Sequence, residues 1–183
     1  QSRYGVKIKR LVVTDSRYKE EYGEIFDLAR SQSIPIYEMQ QGDSVSLGKV
    51  QLLCLAPSDK LLNEVEGGNE TSMVLLLTKE NFSMLFMGDS EGEGEMEVMK
   101  HLYELGISNV TALKVAHHGS KNSTSENFLQ AVSPRISIIS CGKNNRYGHP
   151  GKELLERLEG ICILRTDQQG ALTSREKDLA QIK

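Results

Sequence analysis

Residues 82–120 read FSMLFMGDSEGEGEMEVMKHLYELGISNVTALKVAHHGS. An apolar run from Phe82 to Met87 ends in Gly88-Asp89, and a second, Leu113 to Ala116, ends in His117-His118-Gly119-Ser120. Between them, Glu91 to Leu105 carries Met96, Met99, Leu102 and Leu105 on one side at helical spacing. The pattern predicts strand, helix, strand, and a crossover of that length joins parallel strands. The rhythm repeats downstream. A helix from about Ser125 to Val132, with Ser123, Thr124 and Ser125 as candidate caps, is followed by a strand at Ile136 to Ser140. Next come a helix at Gly151 to Glu159 led by Pro150 and a strand at Ile161 to Leu164. Asp167-Gln-Gln-Gly170 then turns into Ala171 to Thr173, and a polar tail follows Ser174.

Upstream, Arg10 to Thr14 reads as a short buried strand. Tyr18 to Ser31 reads as a helix with Tyr22, Ile25, Phe26 and Ala29 on one face, and Ile34 to Tyr37 as another strand. Val45 to Leu47 and Val50 to Leu55 flank Gly48-Lys49 as a hairpin, and Pro57 to Ser72 is polar and irregular. Ser72 to Thr78 pairs with Phe82 to Met87 around Lys79 to Asn81, both apolar enough to be buried on two faces. The expected class is α/β: one domain with a largely parallel or mixed sheet covered by helices.

The chain has 183 residues, 38% hydrophobic and 26% charged, enough for an ordinary globular core. Its longest apolar runs fall far short of the ~20 residues of a membrane-spanning helix, so the chain is expected to be soluble. A net charge of -3 excludes a globally basic nucleic-acid binder but conceals a gradient. Residues 79–104 hold seven acids against two bases, read as a solvated helix face; residues 113–152 hold six bases against one acid, a face suited to an anion. Cys54, Cys141 and Cys162 lack metal-finger spacing and read as buried core thiols. The chain opens on Gln1 rather than methionine, an indication that it was cut from something longer.

Three strands end in polar chemistry, and in α/β sheets sites gather at the carboxyl ends of strands. That places Asp89, His117, His118 and His149 on one edge. A carboxylate with imidazoles suits a zinc- or manganese-type ion. Adjacent side chains point apart, so one of His117 and His118 is expected to ligate while the other orients or touches substrate. His149 reads as a site residue or a helix cap, His101 as a surface residue, and Lys143 and Arg146, beside Asn144, Asn145 and Tyr147, as loop charges or anion contacts.

Asn69-Glu-Thr-Ser72, Phe86-Met-Gly-Asp89, Leu113 to Ser120 and Gly142 to Pro150, in this order, resemble the metallo-β-lactamase-like domain of ComEC-type DNA-uptake proteins. The resemblance runs from about Leu11 to Leu172. It implies an αββα sandwich, metal-dependent hydrolysis and degradation of one DNA strand during uptake. It assigns Asp89 to the metal-bridging aspartate and His117 or His118 to the last metal-binding histidine. His149 becomes a catalytic residue at the substrate phosphate, with Ser120, Lys143, Asn145 and Arg146 as substrate-binding residues. Asn69 to Ser72 lies where other members supply a histidine that is lacking here.

The superfamily's His-x-His-x-Asp-His motif would precede Leu11, and no histidine occurs before His101. Residues 1–183 are therefore expected to be the C-terminal portion of a single domain lacking its N-terminal part. Alone, the chain is expected to be inactive and to hold zinc or manganese weakly or not at all. Expected partners are single-stranded DNA, the missing N-terminal part, the parent's membrane channel and a second copy in a homodimer. The parent is expected to be membrane-anchored, with this domain on the extracytoplasmic face. The alternatives are a non-catalytic DNA-guiding module of the same fold and a soluble phosphodiesterase relative.

Overall fold

The computed structural model describes residues 7–14, 19–65 and 68–173. The start of the first helix at Tyr18 and the tail after Ser174 lie outside the described residues.

A small parallel pair, β1 (Leu11–Val13) and β2 (Ile36–Glu38), is joined by α1 (Lys19–Ser31). The main sheet has seven strands in chain order: β3 (Ser44–Leu47), β4 (Val50–Ala56), β5 (Val74–Lys79), β6 (Phe82–Phe86), β7 (Ala112–Lys114), β8 (Ile136–Ile139) and β9 (Cys162–Arg165). Pairing is antiparallel from β3 to β6 and parallel from β6 to β9. The switch follows from the connections. Two-residue turns at Gly48-Lys49 and Glu80-Asn81 reverse the chain, while α3 (Gly92–Glu104), α4 (Glu126–Val132) and α5 (Lys152–Arg157) carry it back over the sheet. Gly48 supplies the positive φ, +62°, that the first turn requires.

Leu76, Leu85, Leu113, Ser137 and Ile163 pair in one row across β5 to β9. On that face the leucines and Ile139 meet Val98 and Leu102 of α3, Phe128 and Val132 of α4, and Leu154 of α5 in the main core. The opposite face is buried at Cys54, Ala112 and Ile136 but only half-buried at Leu75, Leu77, Met84, Phe86, Ile138 and Leu164. The expectation of two fully buried faces for β5 and β6 therefore holds for one face alone.

Several other expectations shift. β1 is half-exposed, because its only sheet partner among the described residues is β2. In α3 the buried face is Glu95, Val98 and Leu102, while Met96 and Leu105 lie in solvent. The stretch after Pro57 contains a helix, α2 (Asp59–Glu64), capped by the Ser58 hydroxyl, which accepts from Leu61 N–H at 3.1 Å. Cys54 is fully buried, and burial pushes its thiol up to about 12; Cys141 and Cys162 are only half-buried. His101 is half-buried and sits 3.2 Å from the Leu55 carbonyl, which anchors α3 to β4.

The acidic stretch is not simply a solvated face. Glu97 accepts hydrogen bonds from the backbone and hydroxyl of Ser58. Glu95, 3% exposed, accepts from the N–H groups of Thr124 and Ser125 and so ties α3 to the start of α4. A buried carboxylate with two backbone donors is costly to remove, because both donors are left unpaired. Glu95→Ala is expected to destabilise the fold by about 2–4 kcal/mol, with Glu95→Gln falling between, read as a lower urea midpoint at an unchanged slope.

Candidate functional site at the carboxyl ends of β6, β7 and β8

Register builds the site. Phe86 pairs with Lys114 and Lys114 with Ile138, so Asp89 and His117, each three residues further on, emerge side by side. The His117 N–H donates to the Gly88 carbonyl at 3.0 Å and locks the two loops together. His117 and His118 both adopt left-handed backbone conformations, φ +43° and +54°, which a branched or bulky side chain takes only under constraint. The strain turns the two imidazoles apart, to 6.5 Å between centroids at 67°.

Each ring is then oriented by a different acceptor. His117 Nδ1 lies 2.7 Å from Glu91 Oε1, with the Asn69 amide nitrogen at 3.1 Å. His118 Nδ1 lies 2.6 Å from the Ser140 carbonyl. Both acceptors draw a hydrogen onto Nδ1 and so fix the orientation of each ring. His118 Nε2 faces Asp89 Oδ1 at 4.0 Å. Lys114, half-buried, donates to the Val115 carbonyl at 2.7 Å; burial pulls its pKa down and the Asp89 charge opposes that shift. Asp89 also forms part of the wall of a cavity of about 800 Å³ shared with β1, α1 and residues 68–73.

The loop after β8 brings in the third histidine. Asn145 clamps it: Oδ1 accepts from His149 N–H at 3.0 Å, and Nδ2 donates to the carbonyls of Gly142 at 2.9 Å and His149 at 2.6 Å. Gly151 N–H donates to the Gly119 carbonyl at 2.8 Å, docking this loop on the histidine turn. The His149 ring lies 5.5 Å from that of His117. Its pKa is pulled below the ordinary 6.5 by burial and by the nearby imidazoles of His117 and His118, against an upward pull from Glu91 and Asp89. Tyr147 stacks on His149 at 5.9 Å, and the Arg146 guanidinium lies 4.8 Å from the Tyr147 ring centre.

Asp89, His117, His118 and His149 thus share one edge as the sequence indicated; Lys143 and Arg146 are exposed on the loop that carries His149, Arg146 meeting it through Tyr147. Asn145 spends its polar atoms on the loop itself, and Ser120 is buried, its hydroxyl accepting from Asn122 N–H at 3.2 Å. Sequence reasoning passed over Glu91 and the Asn69 amide. The available signal was position: Glu91 stands two residues beyond Asp89, but within an acidic run assigned to solvent.

As a metal site the cluster is open. Among the described residues no three His, Cys, Asp or Glu side chains converge on a point that could hold an ion. Asp89 and His118 offer two facing donors, and Glu91 takes the Nδ1 of His117. The described residues alone do not fit a resident metal ion.

A mixed sheet that gathers such a cluster at the carboxyl ends of its parallel strands is the fold of metallo-β-lactamase-like proteins. The chain superposes with a TM-score of 0.55 on CmlA, a diiron beta-hydroxylase from Streptomyces venezuelae. That match covers 85% of this chain and 38% of CmlA at 13% identity. No protein-family model matches the chain. It is 38% identical over 175 residues to ComE operon protein 3 of Bacillus subtilis (strain 168), covering 94% of this chain and 22% of that protein. It is also 38% identical over 106 residues to competence protein ComA of Neisseria gonorrhoeae, covering 57% of this chain and 15% of the relative. The chain belongs to the ComEC family of competence proteins and spans less than a quarter of the length of these relatives. Among the described residues no helix is long and apolar enough to cross a membrane.

The docking of the two loops is testable. Gly119 has φ +88°, and a Cβ there would stand 2.7 Å from Pro150 Cβ. Gly119→Ala is expected to cost roughly 1–3 kcal/mol and to shift the NMR resonances of both His117 and His149. In a proton titration of the unmodified chain, His149 is expected to have its midpoint below 6.5, moving upward in His118→Gln.

Proposed function

We propose that this chain supplies the phosphate-facing side of a hydrolytic site that acts on one strand of DNA during uptake. The observation that carries this reading is the gathering of Asp89, His117, His118 and His149 at one sheet edge, with Arg146 joined to them through Tyr147 and exposed Lys143 on the same loop, in a chain of a competence-protein family. Exposed Lys143 and Arg146 reach the non-bridging oxygens of a phosphodiester, Arg146 in a planar, two-pronged mode. His149 stands beside them, and its protonated form can give a proton to the departing ester oxygen. Glu91 meets the His117 ring at Nδ1 and so holds that ring in place at the site.

The half-buried outer face of the sheet supports the companion proposal that residues 1–183 are part of a larger domain, whose remainder covers that face and supplies further donors. We place the parent protein in the membrane with this domain outside the cytoplasm. The open donor set favours one second reading, a non-catalytic DNA-guiding module of the same fold.

Full-length parent protein is expected to cleave single-stranded DNA with zinc or manganese present, while the 183-residue chain alone shows neither turnover nor nanomolar metal affinity. Efficient hydrolysis of lactams or thioesters by the parent with DNA left intact would overturn the substrate. Binding of DNA without any cleavage would favour the guiding module. His149→Ala in the parent is expected to lower kcat about a hundredfold. The proton-donating form of His149 is lost as pH rises through a midpoint depressed below 6.5, so kcat should fall on that limb, and the limb should vanish in the variant.

A further inference from the structure

Tyr147 is 66% exposed, yet it is held by two neighbouring side chains. On one side it lies nearly parallel to the His149 ring, 16° apart, and that ring's backbone is fixed by Asn145. Arg146 covers it with a guanidinium 4.8 Å from the ring centre and donates to the Tyr147 hydroxyl at 2.6 Å. Burial does not explain this column, because the tyrosine is not part of the core. Its place matters: it rises from the site edge, inside the stretch of six bases against one acid. An exposed, preorganised aromatic ring beside cations is the means by which proteins hold single-stranded nucleic acid, the cations taking the backbone and the ring taking a base.

We infer that Tyr147 is a stacking platform for an unpaired nucleobase of the strand whose phosphate occupies the site. This deepens the functional reading above and rests on it. Arg146 is exposed, and its contact with the ring is a surface cation–π interaction, weaker than base–aromatic stacking. An arriving base therefore takes the guanidinium's place on the ring and frees Arg146 for the adjoining phosphate. A paired base in a duplex is already stacked on its neighbours and presents no free face, so the platform selects single strands. Every base has a π-face, so the selection is indifferent to sequence.

The test uses the 183-residue chain and three fluorescein-labelled probes: an oligo(dT) strand, an abasic phosphodiester strand of equal length, and a duplex. By fluorescence anisotropy the unmodified chain is expected to bind oligo(dT) more tightly than either other probe. Tyr147→Ala is expected to weaken oligo(dT) binding about tenfold while leaving the abasic strand unchanged, and Tyr147→Trp to preserve or tighten it. Equal binding of oligo(dT) and abasic strands, or equal loss on both in Tyr147→Ala, overturns the stacking inference and leaves the phosphate reading standing. Failure of the unmodified chain to bind any probe overturns both.

Discussion

Parallel pairing of β6, β7 and β8 aligns Leu85 with Leu113 and Leu113 with Ser137, and the rest of the molecule depends on that alignment. A strand's side chains alternate between faces, so a slip of one residue would turn Leu85 or Leu113 out of the main core and bring Lys114 toward it. It would also move the histidine turn by about 3.3 Å relative to Asp89, the rise of one strand residue. The hydrophobic demand that sets the core thus sets the spacing of the polar groups at the strand ends. The site inherits its geometry from the burial of leucines that never touch it. Helices α3 and α4 enforce the same register from one side, Val98, Leu102, Phe128 and Val132 all packing into that core.

Acidic residues do the polar part of this work. Glu91, at the N-cap of α3, and Glu95 and Glu97, in its first two turns, each turn to a different structure: the His117 ring, the entry to α4 and the cap of α2. Carboxylates near a helix N-terminus are favoured by the helix dipole, so α3 can carry several without losing stability. Each one also satisfies backbone or ring N–H groups that would otherwise lack a partner. Negative charge at this end of α3 therefore acts as a set of hydrogen-bond acceptors directed at three neighbours.

Much of this architecture was legible in the chain. The strand–helix–strand rhythm from Phe82 onward, the hairpin at Gly48-Lys49 and the gathering of Asp89, His117, His118 and His149 are all carried by local pattern and by the rule that strand ends converge. What escaped was decided by tertiary partners. A run of glutamates reads the same whether it faces water or donors, and only the arrival of Thr124, Ser125 and His117 distinguishes the two. The helix after Pro57 was hidden because its cap, Ser58, is itself secured by Glu97 from far along the chain. Asn145 looked like a polar contact for substrate, yet a side-chain amide with two donors and an acceptor serves equally well to close a loop, and here it does.

The two loops that bear histidines are one mechanical unit. Gly119 and Gly151 come close enough for a backbone hydrogen bond, and at Gly119 the approach of Pro150 leaves no room for a side chain. The left-handed backbone at His117 and His118 is held by the Gly88 carbonyl, the Ser140 carbonyl and Glu91 together, so the strain is over-determined rather than free to relax. The His149 ring, on which Tyr147 stacks, lies 5.5 Å from that of His117, and His117 in turn meets Glu91 at the start of α3. In the reading proposed above, a strand drawn across Tyr147 would lie in register with the histidines below. The contact between Gly119 and Gly151, the Asn145 clamp and the His117 N–H to Gly88 bond together fix where the three histidines and Tyr147 stand.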